Sequence, residues 1–104
     1  MTKLHELAKL GQSVWYDYIR RDFLNSGELE TLINQGLRGL TSNPAIFEKA
    51  IAHSTDYDQA LQDLVHKSQS VQNIYESLVL EDIGRAADLF QPVYSQTGGR
   101  DGYV

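Results

Sequence analysis

Apolar positions recur with helical spacing through most of the chain, and two short runs break that period. Leu4, Leu7 and Ala8 share one face of a predicted helix over 3–10, which Gly11 ends. Ser13-Val14-Trp15-Tyr16-Asp17-Tyr18-Ile19 follows, β-branched and aromatic, almost continuously apolar and interrupted by Asp17. That is the pattern of a strand buried on both faces of a parallel sheet. Residues 26–35 return to helical spacing, with Ser26 as N-cap, Leu29, Leu32 and Ile33 as the stripe, and Gly36 just past the end. Leu37 to Thr41 reads as a second, weaker strand. Asn43-Pro44 is a helix-start signal, a capping side chain followed by a proline suited to the first turn.

Residues 45–97 read as helical nearly throughout. Ala60, Leu61, Leu64 and Val65 form one stripe. Val71, Ile74, Tyr75, Leu78 and Val79 form a second, and Ile83, Ala86, Ala87, Phe90 and Val93 a third. The breaks fall at 53–56 and 67–70, and 97–102 is a glycine-rich turn. Tyr103 and Val104 open a third strand. Strands alternating with helices predict an α/β fold with a parallel sheet. At roughly 30 residues per unit, the chain holds the first two β/α units of a (β/α)8 TIM barrel and the start of its third strand. The fold class is thus a helix-rich partial barrel, with residues 1–104 as the N-terminal portion of one domain. A chain that stops inside a strand is expected to be truncated, because its sheet edges stay open.

Charge and composition narrow the function classes. The 104 residues carry 14 acidic and 9 basic side chains, a net charge of -5, and the basic residues are scattered. Arg20-Arg21 is the only adjacent basic pair and reads as a solvated helix edge, so no nucleic-acid partner is expected. Cysteine is absent, which removes disulfides and thiolate metal sites. His5, His53 and His66 lack ligand spacing, so no metal is expected. No run approaches the ~18 apolar residues of a membrane span, and no signal-length apolar core follows Met1. A cytoplasmic, soluble protein without membrane partners is expected.

Two positions invite chemistry. Asp17 lies near the end of a predicted buried strand, where an ionised carboxylate is costly unless paired or solvated. At the C-terminal end of a barrel strand it would be a general acid/base. Alternatively it leaves the sheet into solvent or pairs with Arg20 or Arg21. Asn43 closes the second strand end together with Thr41 and Ser42, and adjacent strands lie ~4.8 Å apart. Asn43 either binds a substrate hydroxyl or caps the helix at Pro44. Gly98-Gly99-Arg100-Asp101-Gly102 runs from a helix into a strand, the wrong direction for a phosphate loop. Trp15, Tyr16, Tyr75 and Phe90 read as core aromatics.

These runs also carry a resemblance. Gln12-Ser13-Val14-Trp15-Tyr16-Asp17-Tyr18-Ile19-Arg20-Arg21-Asp22, Ser26-Gly27-Glu28-Leu29, and Gly36 through Thr41-Ser42-Asn43-Pro44-Ala45-Ile46-Phe47 to Ile51 resemble the start of a bacterial transaldolase. Glu81-Asp82-Ile83 and Pro92 through Val104 are similar too. The resemblance implies a (β/α)8 barrel, sugar phosphate substrates, a lysine Schiff base and no cofactor. It implies that Asp17 is the first-strand acid/base residue, that Asn43 positions substrate on the second strand, and that Thr41 and Ser42 line the same strand end. The family's Schiff-base lysine, third-strand glutamate and phosphate-binding arginine have no counterpart in these residues. Lys3, Lys9, Lys49 and Lys67 all fall on predicted helices or their ends, where no amine is desolvated for nucleophilic attack. The chain alone is therefore expected to be inactive. Two further readings stand beside this one: the N-terminal part of a bifunctional transaldolase/glucose-6-phosphate isomerase, and a non-catalytic helical binding module. Oligomeric state is not legible.

Overall fold

Two parallel strands with their flanking helices form the frame of the computed structural model, which describes residues 2–67 and 69–104. In order the elements are α1 (Lys3–Lys9), β1 (Trp15–Asp17), α2 (Arg21–Asn25), α3 (Glu28–Asn34), β2 (Gly39–Thr41), α4 (Pro44–Ala52), α5 (Asp58–His66) and α6 (Val71–Gln96). The break predicted at 67–70 separates α5 from α6, with Ser68 outside the described residues.

β1 pairs with β2 in parallel, Trp15 opposite Gly39, Tyr16 opposite Leu40 and Asp17 opposite Thr41. Tyr103 adds a parallel bridge on the other side of Gly39, and its carbonyl accepts from the Leu40 N–H at 3.0 Å. The spatial order of the three segments is thus their chain order. That agrees with an opening series of β/α units, although a two-stranded sheet alone does not make a barrel.

The core lies between the sheet and the helices. Ile19, Leu29, Leu37, Leu40, Phe47, Ala86 and Phe90 are buried together, with Phe23, Leu24 and Val93. A second cluster of Ala50, Tyr57 and Leu78 sits under α5. On α6 the buried positions are Leu78, Asp82, Ala86, Phe90 and Val93, spaced four, four, four and three residues apart. That is the stripe an α-helix presents to one neighbour, except that one member is a carboxylate.

Several expectations are corrected. β1 is three residues long and all three are exposed, not buried on both faces. The cause is its place at the sheet edge, paired on one side only. Trp15 and Tyr16 are each 42% exposed for the same reason, so they are not core aromatics. Tyr75 is half-buried, whereas Phe90 is in the core as expected. The segment after Ile19 is helical: α2 occupies Arg21–Asn25, and Ser26 is its C-cap. The next helix therefore starts at Glu28, with Gly27 at φ 87° as its N-cap. Only glycine takes that backbone without strain. Arg21 is buried and does not lie on a solvated edge.

Local chemistry accounts for the remaining boundaries. The Thr2 hydroxyl accepts from the His5 N–H at 3.3 Å at the start of α1 and donates to the Gln35 carbonyl. α1 thereby rests on the turn before β2. A Cβ on Gly36 would fall 2.8 Å from that of Leu4. No helix among the described residues is long and apolar enough to cross a membrane.

Candidate functional site at the strand ends

Side chains alternate across a strand, and partners in register share a face. Trp15, Asp17, Gly39 and Thr41 therefore lie on one face of the sheet, and Tyr16 with the buried Leu40 on the other. On the first face Trp15, Asp17 and Thr41 are all exposed. At its C-terminal rim the Thr41 hydroxyl donates to Asp17 Oδ1 at 2.9 Å. Both residues are exposed. Asp17 does not pair with Arg20 or Arg21, because both guanidinium groups are engaged elsewhere. Arg20 holds Asp56 through Nε at 2.6 Å and Nη2 at 3.0 Å, and Arg21 holds Asp82 through Nε at 2.9 Å. One oxygen of Asp17 thus accepts from a hydroxyl, while the carboxylate stays open to solvent. Such a group can accept or donate a proton at a bound substrate.

Asn43 caps α4. Its Oδ1 accepts from the Ile46 N–H at 3.0 Å, with the backbone extended at φ -153° and ψ 170° and Pro44 in the first turn. The capping role is therefore real. It uses only the carbonyl end of the side-chain amide and fixes its direction, leaving the NH2 end as a donor. Ser42 is half-buried between Thr41 and Asn43. Of the four predicted residues, Asp17 and Thr41 are in direct contact. Ser42 and Asn43 follow Thr41 on the same strand exit.

Lys3, Lys9 and Lys49 lie on helices and are exposed, and Lys67 is the exposed C-cap of α5. Among the described residues, no lysine sits on a strand. Among the described residues, no group of three or more His, Cys, Asp or Glu side chains converges to hold a metal ion.

Residues 14–104 match the family described as Transaldolase/Fructose-6-phosphate aldolase. The chain belongs to that family. Curated relatives agree over nearly its whole length. It is 52% identical over 102 residues to "Transaldolase" of Trichodesmium erythraeum (strain IMS101), covering 97% of this chain and 27% of that protein. It is 48% identical to "Transaldolase 2" of Nostoc punctiforme (strain ATCC 29133 / PCC 73102), with the same coverage. It is 42% identical to "Transaldolase" of Thiobacillus denitrificans (strain ATCC 25259 / T1), covering 95% of this chain and 28% of that protein. The chain thus spans between a quarter and a third of the length of these relatives.

The polar groups behind the strand ends went unread in the sequence. Tyr57 is fully buried and its hydroxyl donates to Asp82 Oδ2 at 2.6 Å. The same hydroxyl accepts from the Arg21 N–H at 3.0 Å, and the Arg21 guanidinium lies 4.8 Å above the Tyr57 ring. Burial, reinforced by the Asp82 carboxylate, pushes the Tyr57 hydroxyl well above the ordinary tyrosine range. The Arg20 hydrogen bonds hold Asp56 below the usual carboxylate range. The one available signal was Asp82, a polar residue at a core position of the α6 stripe.

Proposed function

We propose that this chain is the N-terminal portion of a transaldolase (β/α)8 barrel, with Asp17 and Asn43 in its active site. The observation that carries the proposal is the Asp17–Thr41 pair at the C-terminal ends of two adjacent parallel strands, in a chain of this family. Barrel enzymes build their sites at that rim. On this reading, residues 1–104 form two β/α units and the start of a third strand.

The reaction transfers a dihydroxyacetone unit from sedoheptulose 7-phosphate to glyceraldehyde 3-phosphate, as a step of the pentose phosphate pathway in the cytoplasm. A lysine amine from a later strand attacks the ketose carbonyl and loses water to give a Schiff base. Retro-aldol cleavage releases erythrose 4-phosphate. The retained three-carbon enamine adds to the acceptor aldehyde, and hydrolysis releases fructose 6-phosphate. Asp17 moves the proton at these steps. Asn43 holds a substrate hydroxyl through its free NH2 end, and Thr41 and Ser42 complete the wall. No organic cofactor or metal takes part, and neither nucleic acid nor membrane is a partner.

The test is to assay the full gene product with both sugar phosphates, and to treat it with fructose 6-phosphate and borohydride. Transfer and a trapped adduct are expected on the full product, and no adduct on the isolated 104 residues. Asp17→Asn should lower kcat by roughly 10²–10⁴, the usual worth of a general acid/base. Absence of transfer by the full product, or a stoichiometric adduct on residues 1–104 alone, would overturn the proposal.

A further inference from the structure

Two polar clusters lie beyond the exit of β1, and both end on the backbone of the first turn of α2. Arg21 is 7% exposed and Tyr57 and Asp82 are 0% exposed. Burying a carboxylate and a guanidinium carries a desolvation cost, and apolar residues of like volume often hold a fold as well. An apolar core cannot, however, fix backbone N–H groups. α2 begins four residues after Asp17, and its N-cap, Arg20, makes no capping hydrogen bond from its side chain. Its first N–H groups are satisfied from far along the chain. Arg21 N–H donates to the Tyr57 hydroxyl, 36 residues away, and Asp22 N–H donates to Asp56 Oδ2 at 2.9 Å, 34 residues away. Asp56 also chelates Arg20. Asp82 on α6 accepts from both the Tyr57 hydroxyl and Arg21 Nε, which locks the hydroxyl's orientation.

The route closes on itself. Residues 56–57 follow α4, α4 starts from the Asn43 cap, and Asn43 follows Thr41, which donates to Asp17. From Asp17 the chain runs through residues 18–20 to α2 and back to residues 56–57. The two strand exits are therefore tied into one ring with hydrogen-bonded joints at 17–41 and at 20–22 with 56–57.

We propose that Asp56 and Tyr57 are positioning residues that set how the ends of β1 and β2 face each other, so that the Asp17 carboxylate, the Thr41 hydroxyl and the Asn43 amide keep one geometry. Its catalytic half rests on the transaldolase reading above. A displacement of about 1 Å at reacting groups can cost up to ~10²-fold in rate, so a joint of this kind has a rate consequence and not only a structural one.

The test uses Tyr57→Phe, which keeps the ring under Arg21, and Asp56→Asn in the full gene product. Val93→Ala, at the C-terminal end of α6, serves as a control for lost stability. Side-chain NMR signals of Asp17 and Thr41 should move in both variants and stay in place in the control. Amide exchange at Arg21 and Asp22 should quicken. kcat should fall by about tenfold with KM changed by less than about twofold, the signature of an interaction realised in the transition state. Unmoved Asp17 and Thr41 signals in Tyr57→Phe overturn the proposal whatever the activity. An inactive wild type with moved signals leaves the positioning standing and sinks the transaldolase reading instead. Loss of kcat matched by Val93→Ala reduces the clamp to stability and overturns its catalytic half.

Discussion

Gly39 has no side chain because an indole fills the place of one. A Cβ there would fall 2.4–2.8 Å from three ring atoms of Trp15. The ring is tied down at Nε1, which donates to Ser13 Oγ at 2.8 Å, and Ser13 in turn donates to Asp101 at 2.7 Å. Gly39→Ala should therefore drive the indole toward solvent and break that tether. Overpacking of this kind costs about 1–3 kcal/mol, here at the low end because the ring is already half exposed. Trp15 is the only tryptophan, so its emission reads the change directly. A red shift is expected, and an unchanged maximum would mean that the ring does not rest on Gly39. At this scale the sequence was legible where a residue broke its own local pattern. Asp17 interrupts an apolar run, and Asn43 stands before a proline. Asp56 and Tyr57 were not legible, since they join partners 25 to 36 residues away and no local period marks them, whereas Asp82 shows only as a polar residue on the buried stripe of α6.

Elements were legible in proportion to their length. α5 and α6 carry enough turns for an apolar stripe to declare itself, α4 is announced by Asn43-Pro44, and the breaks between them fall where the polar runs are. α2 has five residues, too few for a period, and it draws its first hydrogen bonds from residues 56–57. β1 looked longer and deeper than it is, because aromatic content signals strand but not which side has a partner. The direction of the strands and their order were readable from the alternation with helices, whereas three-residue lengths were not. α6 also offers a test of its own propensity. Gly84 lies exposed in mid-helix, and nothing stands within 4 Å of where its Cβ would be. Gly84→Ala should raise stability by about 0.5–1 kcal/mol through the entropy glycine loses on entering a helix. A urea midpoint that fails to rise would mean that α6 is not continuous through this position.

Over the whole molecule, the shape and the polar joints belong to one account. The chain measures 50 × 24 × 21 Å, and its radius of gyration is 15.4 Å, against ~13 Å for a compact domain of about 100 residues. α6, with 26 residues, is ~39 Å long at ~1.5 Å per residue. Apolar burial is shared between a main core and a small satellite. The polar joints at Asp56, partly buried, and at Tyr57, fully buried, add to the tertiary order, and both groups titrate. Asp56 is held below its ordinary value by Arg20, with the Asp22 N–H assisting. Its contribution is complete above the ordinary carboxylate pKa of ~4 and is lost as pH falls through the lowered value. Tyr57 is held above its ordinary value by burial and then by Asp82. Its contribution is complete below the ordinary tyrosine pKa of ~10 and is lost as pH rises through the raised value. Stability should therefore be flat between about pH 5 and pH 9 as far as these joints decide it, with a shoulder on each side. Urea midpoints measured across pH should separate the two. Asp56→Asn should flatten the acid limb and leave the alkaline limb, and Tyr57→Phe should do the reverse. If both variants lower the plateau but leave both limbs unchanged, the two joints act by packing alone, and charge at these positions has no part in holding the strand exits.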